Sequence, residues 1–171
     1  MTVNEEICDT SPSAIGAPRS VTASQETLDR LAEAEHPECL ICGKANPIGF
    51  RLAFRVVRPG VVRAAFSRGL LFQSYADTLH GGVTSALLDA AMTNALFSLG
   101  VVALTGELTV RYLTPIELTR PAEVLARLER DTRPLYTLSA ELRQSGRVSA
   151  RASAKFIDKA WAASRPLLTV R

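Results

Sequence analysis

The stretch Gly81-Gly-Val-Thr-Ser-Ala-Leu-Leu-Asp-Ala-Ala-Met-Thr-Asn-Ala-Leu-Phe-Ser-Leu99 decides the fold of this chain. It predicts one long helix, opened by His80-Gly81-Gly82 and ended at Gly100. Its apolar residues fall on nearly every side, so the helix must be buried on nearly every side. A helix of that kind needs a surrounding layer, and the flanking sequence supplies strands. Upstream, Phe50 to Val57 alternates, with Phe50, Leu52, Phe54 and Val56 on one face and Arg51 and Arg55 on the other. Pro59-Gly60 marks a turn, and Val61 to Ser67 reads as the returning strand. Downstream, four runs alternate: Ala103 to Tyr112, Ala122 to Arg130, Leu135 to Gln144 and Arg147 to Phe156. Ser145-Gly146 predicts a tight hairpin turn, and Asp131 to Pro134 a longer one. Two strands, one buried helix and four more strands predict an α+β fold, an antiparallel sheet wrapped around one long central helix. The edges of such a sheet favour pairing into dimers.

The remaining segments extend this unit at both ends. Residues 1–24 are rich in Ser, Thr, Pro and small side chains without a period, and read as a flexible leader. Ser24 can cap a short helix whose face is Leu28, Leu31 and Ala32, and Pro37 should stop it near His36. Cys39 to Gly49 is turn-rich and irregular. The main domain is expected over residues 25–160, and residues 161–171 form a tail with no assigned structure.

Composition narrows the class. With 171 residues the chain fits one domain, able to bury about two-thirds of its unfolded surface without disulfides or metal. The 47% apolar and 22% charged fractions are ordinary for a soluble globular protein. Net charge is +3, and the basic residues are scattered rather than striped, which argues against nucleic acid as a partner. A mild positive field still suits a small polyanion such as coenzyme A. Glu5, Glu6 and Asp9 interrupt an N-terminus that has no apolar core, so no signal peptide is expected. Apolar runs broken by Asp89, Asn94 and Gly100 are too short to span a membrane. Three cysteines, Cys8, Cys39 and Cys42, make no disulfide framework, and a cytoplasmic location is expected.

Chemistry concentrates on the central helix. Gly81 and Gly82 at its N-terminus expose backbone N–H groups with no side chain in the way, a place that attracts a carbonyl oxygen or a developing oxyanion. The same glycines would also serve a merely tight entry turn. Asp89 is costly to bury unpaired among Leu87, Leu88, Ala90 and Ala91. Ser85, Asp89 and Thr93 repeat every fourth residue and form one polar stripe. Asp89 reads as a base or nucleophile lining a cleft, or else as a salt-bridged or interface carboxylate. Gly81 and Asp89 lie roughly 12 Å apart along one helix, so a single reaction using both must take Asp89 from a second subunit. His36-x-x-Cys39-x-x-Cys42 offers three zinc-ligand types at plausible spacing. A full site needs a fourth ligand and there is no second cysteine pair, so the segment is read as a buried turn with free thiols, and no metal is expected. The arginines Arg111, Arg127, Arg143 and Arg151 read as a solvated sheet face, with one or two available to coenzyme A phosphates.

Three segments carry a family resemblance: Cys39-x-x-Cys-Gly-x-x-Asn-Pro-x-Gly49, His80-Gly-Gly-Val-x-x-x-Leu-Leu-Asp-x-Ala-Met92, and Thr105-Gly-Glu-Leu-Thr-Val-Arg-Tyr-Leu-Thr-Pro115. Over residues 39–157 the chain resembles the hotdog-fold acyl-CoA thioesterases of the phenylacetic-acid-degradation (PaaI) type. The resemblance implies five or six antiparallel strands around the helix, dimers that pair into tetramers, acyl-CoA substrates and no cofactor. It implies that the Gly81 N–H polarises the thioester carbonyl and that Asp89 of the opposite subunit is the catalytic carboxylate. Thr93 and Thr105 match positions where relatives hold the attacking water. Relatives also carry an Asn or Gln seven residues before the glycine. Here that place is Ser74, with Gln73 one residue earlier, so the amide acts through a shifted loop or is missing. His80, Gly82, Gln73, Ser74, Tyr75 and Ser85 are the expected substrate contacts, and Phe72, Tyr75, Leu79 and Met92 the expected acyl pocket. Two other readings share the scaffold: a hydratase, which His36 and His80 as the only histidines disfavour, and a non-catalytic acyl-CoA-binding protein.

Overall fold

The computed structural model describes residues 23–67 and 70–164. Most of the expected leader, Cys8 and the end of the expected tail lie outside the described residues.

The central helix, α2, spans Gly81–Ser98. Ahead of it come α1 (Gln25–Glu35), β1 (Arg55–Arg58) and β2 (Val61–Phe66); after it come β3 (Ala103–Tyr112), β4 (Ala122–Thr132), β5 (Leu135–Gln144), β6 (Arg147–Asp158) and a short α3 (Lys159–Ala163). The six strands form one antiparallel sheet in the order β1-β2-β4-β5-β6-β3, with α2 packed against it. This is the sheet-around-helix arrangement that the pattern predicts.

Inward side chains alternate along β4, β5 and β6, and their sizes explain how the sheet accepts a helix. Ala126, Ala140 and Ala152 stand opposite one another on β4, β5 and β6 and form a shallow row. Val124–Leu142–Ala150 and Leu128–Leu138–Ala154 make bulkier rows on either side. Leu87, Leu88, Ala91, Met92 and Ala95 of α2 fill this surface and are fully buried. On its other side α1 packs on α2, burying Leu28. Ser24 caps α1 by accepting the Thr27 N–H at 3.0 Å, and His36 closes it, as expected. Every residue of α2 from Ala90 to Ser98 is therefore buried. Nearer its start, Gly82, Ser85, Ala86 and Asp89 remain partly open. No helix among the described residues is long and apolar enough to cross a membrane.

Three expectations need correction. Phe50 to Phe54 is extended and buries Phe50, Leu52 and Phe54, yet only Arg55–Arg58 pairs with β2. The Phe50 and Leu52 N–H groups donate instead to the Leu40 and Ile41 carbonyls, both at 2.7 Å. The expected long turn at Asp131 to Pro134 shrinks to Arg133-Pro134, because β4 runs on to Thr132 and β6 to Asp158. The tail starts as α3, capped by Asp158, whose carboxylate accepts the Trp161 N–H at 2.9 Å. Ser145-Gly146 forms the expected tight turn, both residues with positive φ.

The loop from His36 to Gly49 folds around Gly43, where a Cβ would stand 2.3 Å from the Cys39 nitrogen and 2.6 Å from the Pro37 oxygen. Those are backbone atoms and cannot give way. Gly43→Ala is expected to cost stability at the upper end of the ~1–3 kcal/mol typical of overpacking, read as a lower midpoint in chemical unfolding.

Candidate active site

Loop hydrogen bonds fix the start of α2. Leu79 donates to the Ile116 carbonyl at 2.9 Å and His80 to the Phe72 carbonyl at 2.8 Å. Buried Gln144 anchors the segment bearing Ile116: its amide accepts the Glu117 N–H at 2.9 Å and donates to the Glu117 and Arg120 carbonyls. His80 is the N-cap of α2, and its Nδ1 accepts the Gly82 N–H at 2.9 Å. A Cβ on Gly82 would press on that ring at 3.1 Å, which is why glycine sits there. Of the two exposed amides that the sequence suggests, Gly82 is thus committed to the cap. The Gly81 N–H has no protein acceptor among the described residues.

Gly81 opens onto a cleft of about 330 Å³, whose walls include Ser74, Tyr75, Leu79, Thr84, Tyr112 and Ile116. Of the expected acyl-pocket residues, Tyr75 and Leu79 line it. Met92 is instead part of the core beneath the sheet, and Phe72 packs on Phe50 at 4.3 Å between ring centroids. Gln73 turns its amide oxygen to the Asp77 N–H at 3.4 Å and does not line the cleft, whereas Ser74 does. Sequence reasoning missed Tyr112 as a site residue. Its hydroxyl donates to the Gly81 carbonyl at 3.1 Å and lies 2.6 Å from Ser85 Oγ, so the ring closes one wall and ties β3 to α2. The signal was its place at the end of β3, in the segment that carries the resemblance. A larger cleft of about 970 Å³ lies at the other end of α2, lined by Leu99 to Val102, Asp131 and Lys159, and does not include Gly81.

Asp89 does not line the Gly81 cleft. It faces β3, where the Thr105 hydroxyl donates to Oδ1 at 2.8 Å. A bulge between Thr105 and Glu107 interrupts the β3–β6 register at this point. Thr93, the third member of the expected stripe, is turned back on the helix, its hydroxyl donating to the Asp89 carbonyl at 3.1 Å. Burial pushes the Asp89 carboxyl above its ordinary value; the Thr105 hydrogen bond opposes this, the Cys39 charge adds to it and His36 opposes it. The structure therefore brings Asp89 and Thr105 together, gathers Gly81, Ser74 and Tyr75 around a separate cleft with Ser85 held against its Tyr112 wall, and leaves the two groups apart within one chain.

Residues 72–157, half of the chain, match the family described as the acyl-CoA thioesterase N-terminal domain. The chain belongs to this acyl-CoA thioesterase family. It is a thioester hydrolase, and solved structures share its fold. A thioesterase superfamily protein superposes with a TM-score of 0.69 at 21% identity, covering 85% of this chain and 73% of that one. The PaaI protein of the Escherichia coli phenylacetic acid degradation operon gives 0.67 at 16% identity, covering 78% and 94%. A hypothetical thioesterase protein of Streptococcus pneumoniae, solved with coenzyme A, gives 0.60 at 18% identity, covering 63% and 88%. No curated protein matches the sequence. The fold of this thioesterase is thus the hotdog fold expected from the resemblance.

The raised Asp89 carboxyl has a consequence for stability. Folding disfavours its charged form, so the native state loses stability as pH rises from the ordinary carboxyl value of 3.8 through the elevated one. Asp89→Asn keeps an acceptor for Thr105 and removes the charge. Its Tm at pH 7 is expected to exceed the wild type's, with the gap narrowing as pH falls to 4. Differential scanning calorimetry at both pH values checks this.

Proposed function

We propose that this protein hydrolyses a small to medium acyl-CoA, aliphatic or aromatic, with the thioester carbonyl on the Gly81 N–H of one subunit and Asp89 of the other as the base. The observation that carries this reading is the separation on α2. The free amide opens on an apolar cleft, the half-buried carboxylate points elsewhere, and their spacing along the helix is roughly 12 Å. One carbonyl cannot touch both within a chain. Dimerisation supplies the remedy: β3 is a ten-residue edge strand beside the partly open stripe of α2, and an exposed edge of that length pairs readily. Two such dimers would pair into the tetramer that the resemblance implies.

In that arrangement Thr105 holds one oxygen of Asp89 and leaves the other free to take a proton from water. The water oxygen bonds to the carbonyl carbon, and the oxyanion gathers charge at the Gly81 N–H. The carbon–sulfur bond then breaks, the thiolate of coenzyme A leaves with the proton, and the free acid remains. Thr93 supports the helix beneath Asp89, Ser74, Tyr75 and Tyr112 shape the cleft, and Ser85 steadies the Tyr112 hydroxyl. His80 and Gly82 hold its entrance, while Gln73 keeps the preceding loop closed. No resident cofactor takes part in these steps. Arg127, Arg143 and Arg151 are paired with glutamates at the surface, whereas Arg111, beside Tyr112 on β3, has no ion pair among the described residues and is left available for a coenzyme A phosphate. The Streptococcus pneumoniae protein has also been solved with alanine replacing an aspartate and with alanine replacing a threonine sixteen positions later. Asp89 and Thr105 share that spacing, which supports the pairing proposed here. A Streptococcus mutans neighbour was solved with acetyl-CoA, which supports a coenzyme A thioester as substrate. Free thiols at Cys39 and Cys42 suit a reducing cytoplasm.

Release of free thiol from short, long and aromatic acyl-CoAs tests the activity. Asp89→Asn is expected to lower kcat about 100-fold or more with the oligomer intact, and the wild-type acid limb should lie above the ordinary carboxyl range. Unchanged activity in the variant would remove Asp89 from the mechanism, and binding without turnover of any thioester would make this a binding protein. Isotopic oxygen from water appearing in Asp89 after one turnover would make the carboxylate a nucleophile instead of a base.

Gly81→Pro removes the N–H at the first helical position, which accepts proline, after a His80 already in extended backbone. It is expected to cost about 100-fold or more in kcat with helix content unchanged. Co-expressed Asp89→Asn and Gly81→Pro chains should recover about a quarter of wild-type activity, since half of the dimers are mixed and each holds one intact site of two. No recovery would mean that the two groups do not meet across an interface.

A further inference from the structure

The segment expected to be a turn with free thiols holds a ligand set. His36, Cys39 and Cys42 bring their ligating atoms within 4.8 Å of one another, and Cys42 Sγ lies 3.9 Å from His36 Nδ1. A tetrahedral zinc ion with Zn–S of about 2.3 Å and Zn–N of about 2.0–2.1 Å spaces sulfur and nitrogen ligands ~3.5 Å apart, so that pair needs to move only a few tenths of an ångström.

The backbone and neighbours are shaped around the two sulfurs. Cys39-Leu-Ile-Cys-Gly43 forms a tight knuckle in which the Gly43 N–H donates to the Cys39 carbonyl at 2.9 Å and the Ile41 N–H to Cys39 Sγ at 3.4 Å. From α2, Asn94 Nδ2 donates to the Ala90 carbonyl at 2.8 Å and to Cys42 Sγ at 3.7 Å. Asn94 is only 1% exposed, and its Oδ1 is the buried side-chain polar atom left without a partner among the described residues. Turning the amide over would set its oxygen against the Ala90 carbonyl, so this orientation, which aims a donor at Cys42, is the one the helix permits. Each sulfur thus receives an N–H, the environment that favours thiolate. Hydrogen bonds from Cys42 and His36 hold the Cys39 thiol well below its ordinary range, while the hydrogen bond with Cys39 and then burial push Cys42 up.

We propose that His36 Nδ1, Cys39 Sγ and Cys42 Sγ bind a divalent zinc ion. Two thiolates with one neutral imidazole balance the dication, which suits a half-buried place. Nitrogen and sulfur donors select zinc over magnesium or calcium. Among the described residues no fourth His, Cys, Asp or Glu joins the group, so the fourth position belongs to an exchangeable oxygen ligand such as water. The ion clamps the end of α1 and the knuckle onto α2, where His36 already meets Phe97 edge-on with ring centroids 5.0 Å apart.

The test uses the full chain, reduced and stripped with a chelator, then titrated with cobalt(II) alone and followed by absorption, with zinc stoichiometry from native mass spectrometry. One ion per chain is expected, with thiolate-to-cobalt charge transfer and the strong visible bands of a tetrahedral centre. Cys39→Ser and Cys42→Ser should each abolish the bands, while Cys8→Ser leaves them intact. Cys42→His, which replaces one ligand by another, should retain the ion with weaker charge transfer and guards against loss through misfolding. A folded, reduced chain that takes up no cobalt, or uptake indifferent to both Cys39 and Cys42, would overturn the proposal. A Cys39–Cys42 disulfide whose reduced form ignores the metal would likewise overturn it and leave a thiol pair alone.

Discussion

A helix that is apolar on nearly every side cannot rest on a surface, and α2 sets the rest of the molecule around that demand. The sheet must curve past it, which the small Ala126–Ala140–Ala152 row allows. One further side is closed by α1 and by the loop at Phe50 to Phe54, whose N–H groups bond to Leu40 and Ile41 rather than to a strand. What remains open is a stripe near the N-terminus, from Gly82 to Asp89. Burial that elsewhere only stabilises here also selects the place of chemistry. A helix N-terminus has amides without intrahelical partners, and enclosing it in an apolar cleft makes the one left free a strong donor to an oxyanion.

Asp89 pays for its position in free energy. Burial raises its carboxyl, and one hydroxyl from Thr105 offsets only part of the cost. The β3 bulge marks where regular pairing yields to that contact, since the ladder is out of step between Thr105 and Glu107. Such a carboxylate is poorly solvated and ready to accept a proton, the property required of a base near neutral pH. The same desolvation makes it an unfavourable residue for a subunit whose stability is judged alone, and that conflict marks functional positions.

The periodic parts of the fold could be read from the chain. Alternation located β3 and β5 to the residue, and the all-round apolar character of α2 located its layer. Reading failed where hydrogen bonding, not hydrophobic period, decides. Phe50 to Phe54 alternates like a strand, yet its donors find loop carbonyls first, and β4 and β6 extend beyond their alternating runs because the turn at Arg133-Pro134 is shorter than composition suggests. At the site, Gly81 and Asp89 were visible as residue types out of keeping with their surroundings, and Thr105 through the family resemblance. Tyr112 was not, because an aromatic residue at a strand end looks ordinary until its hydroxyl is found on Gly81 and Ser85. Met92 erred in the other direction: it was expected in the acyl pocket, while the helix rotates it into the core.

A single helix therefore serves three separate purposes along its length, and the order follows from its burial. At its first turn, where amides lack partners, it presents Gly81. Two turns on, where β3 meets it and cover is incomplete, it carries Asp89. A turn further, where enclosure is complete, Asn94 can keep an unpaired oxygen only because its nitrogen is held by Ala90 and Cys42. The third position could not exchange places with the first, since a solvated amide would gain nothing from a sulfur and a buried glycine amide would bond to the preceding turn. Increasing burial along α2 thus sorts its polar groups, from the donor proposed for substrate, to the carboxylate proposed as base, to a support for the knuckle behind it.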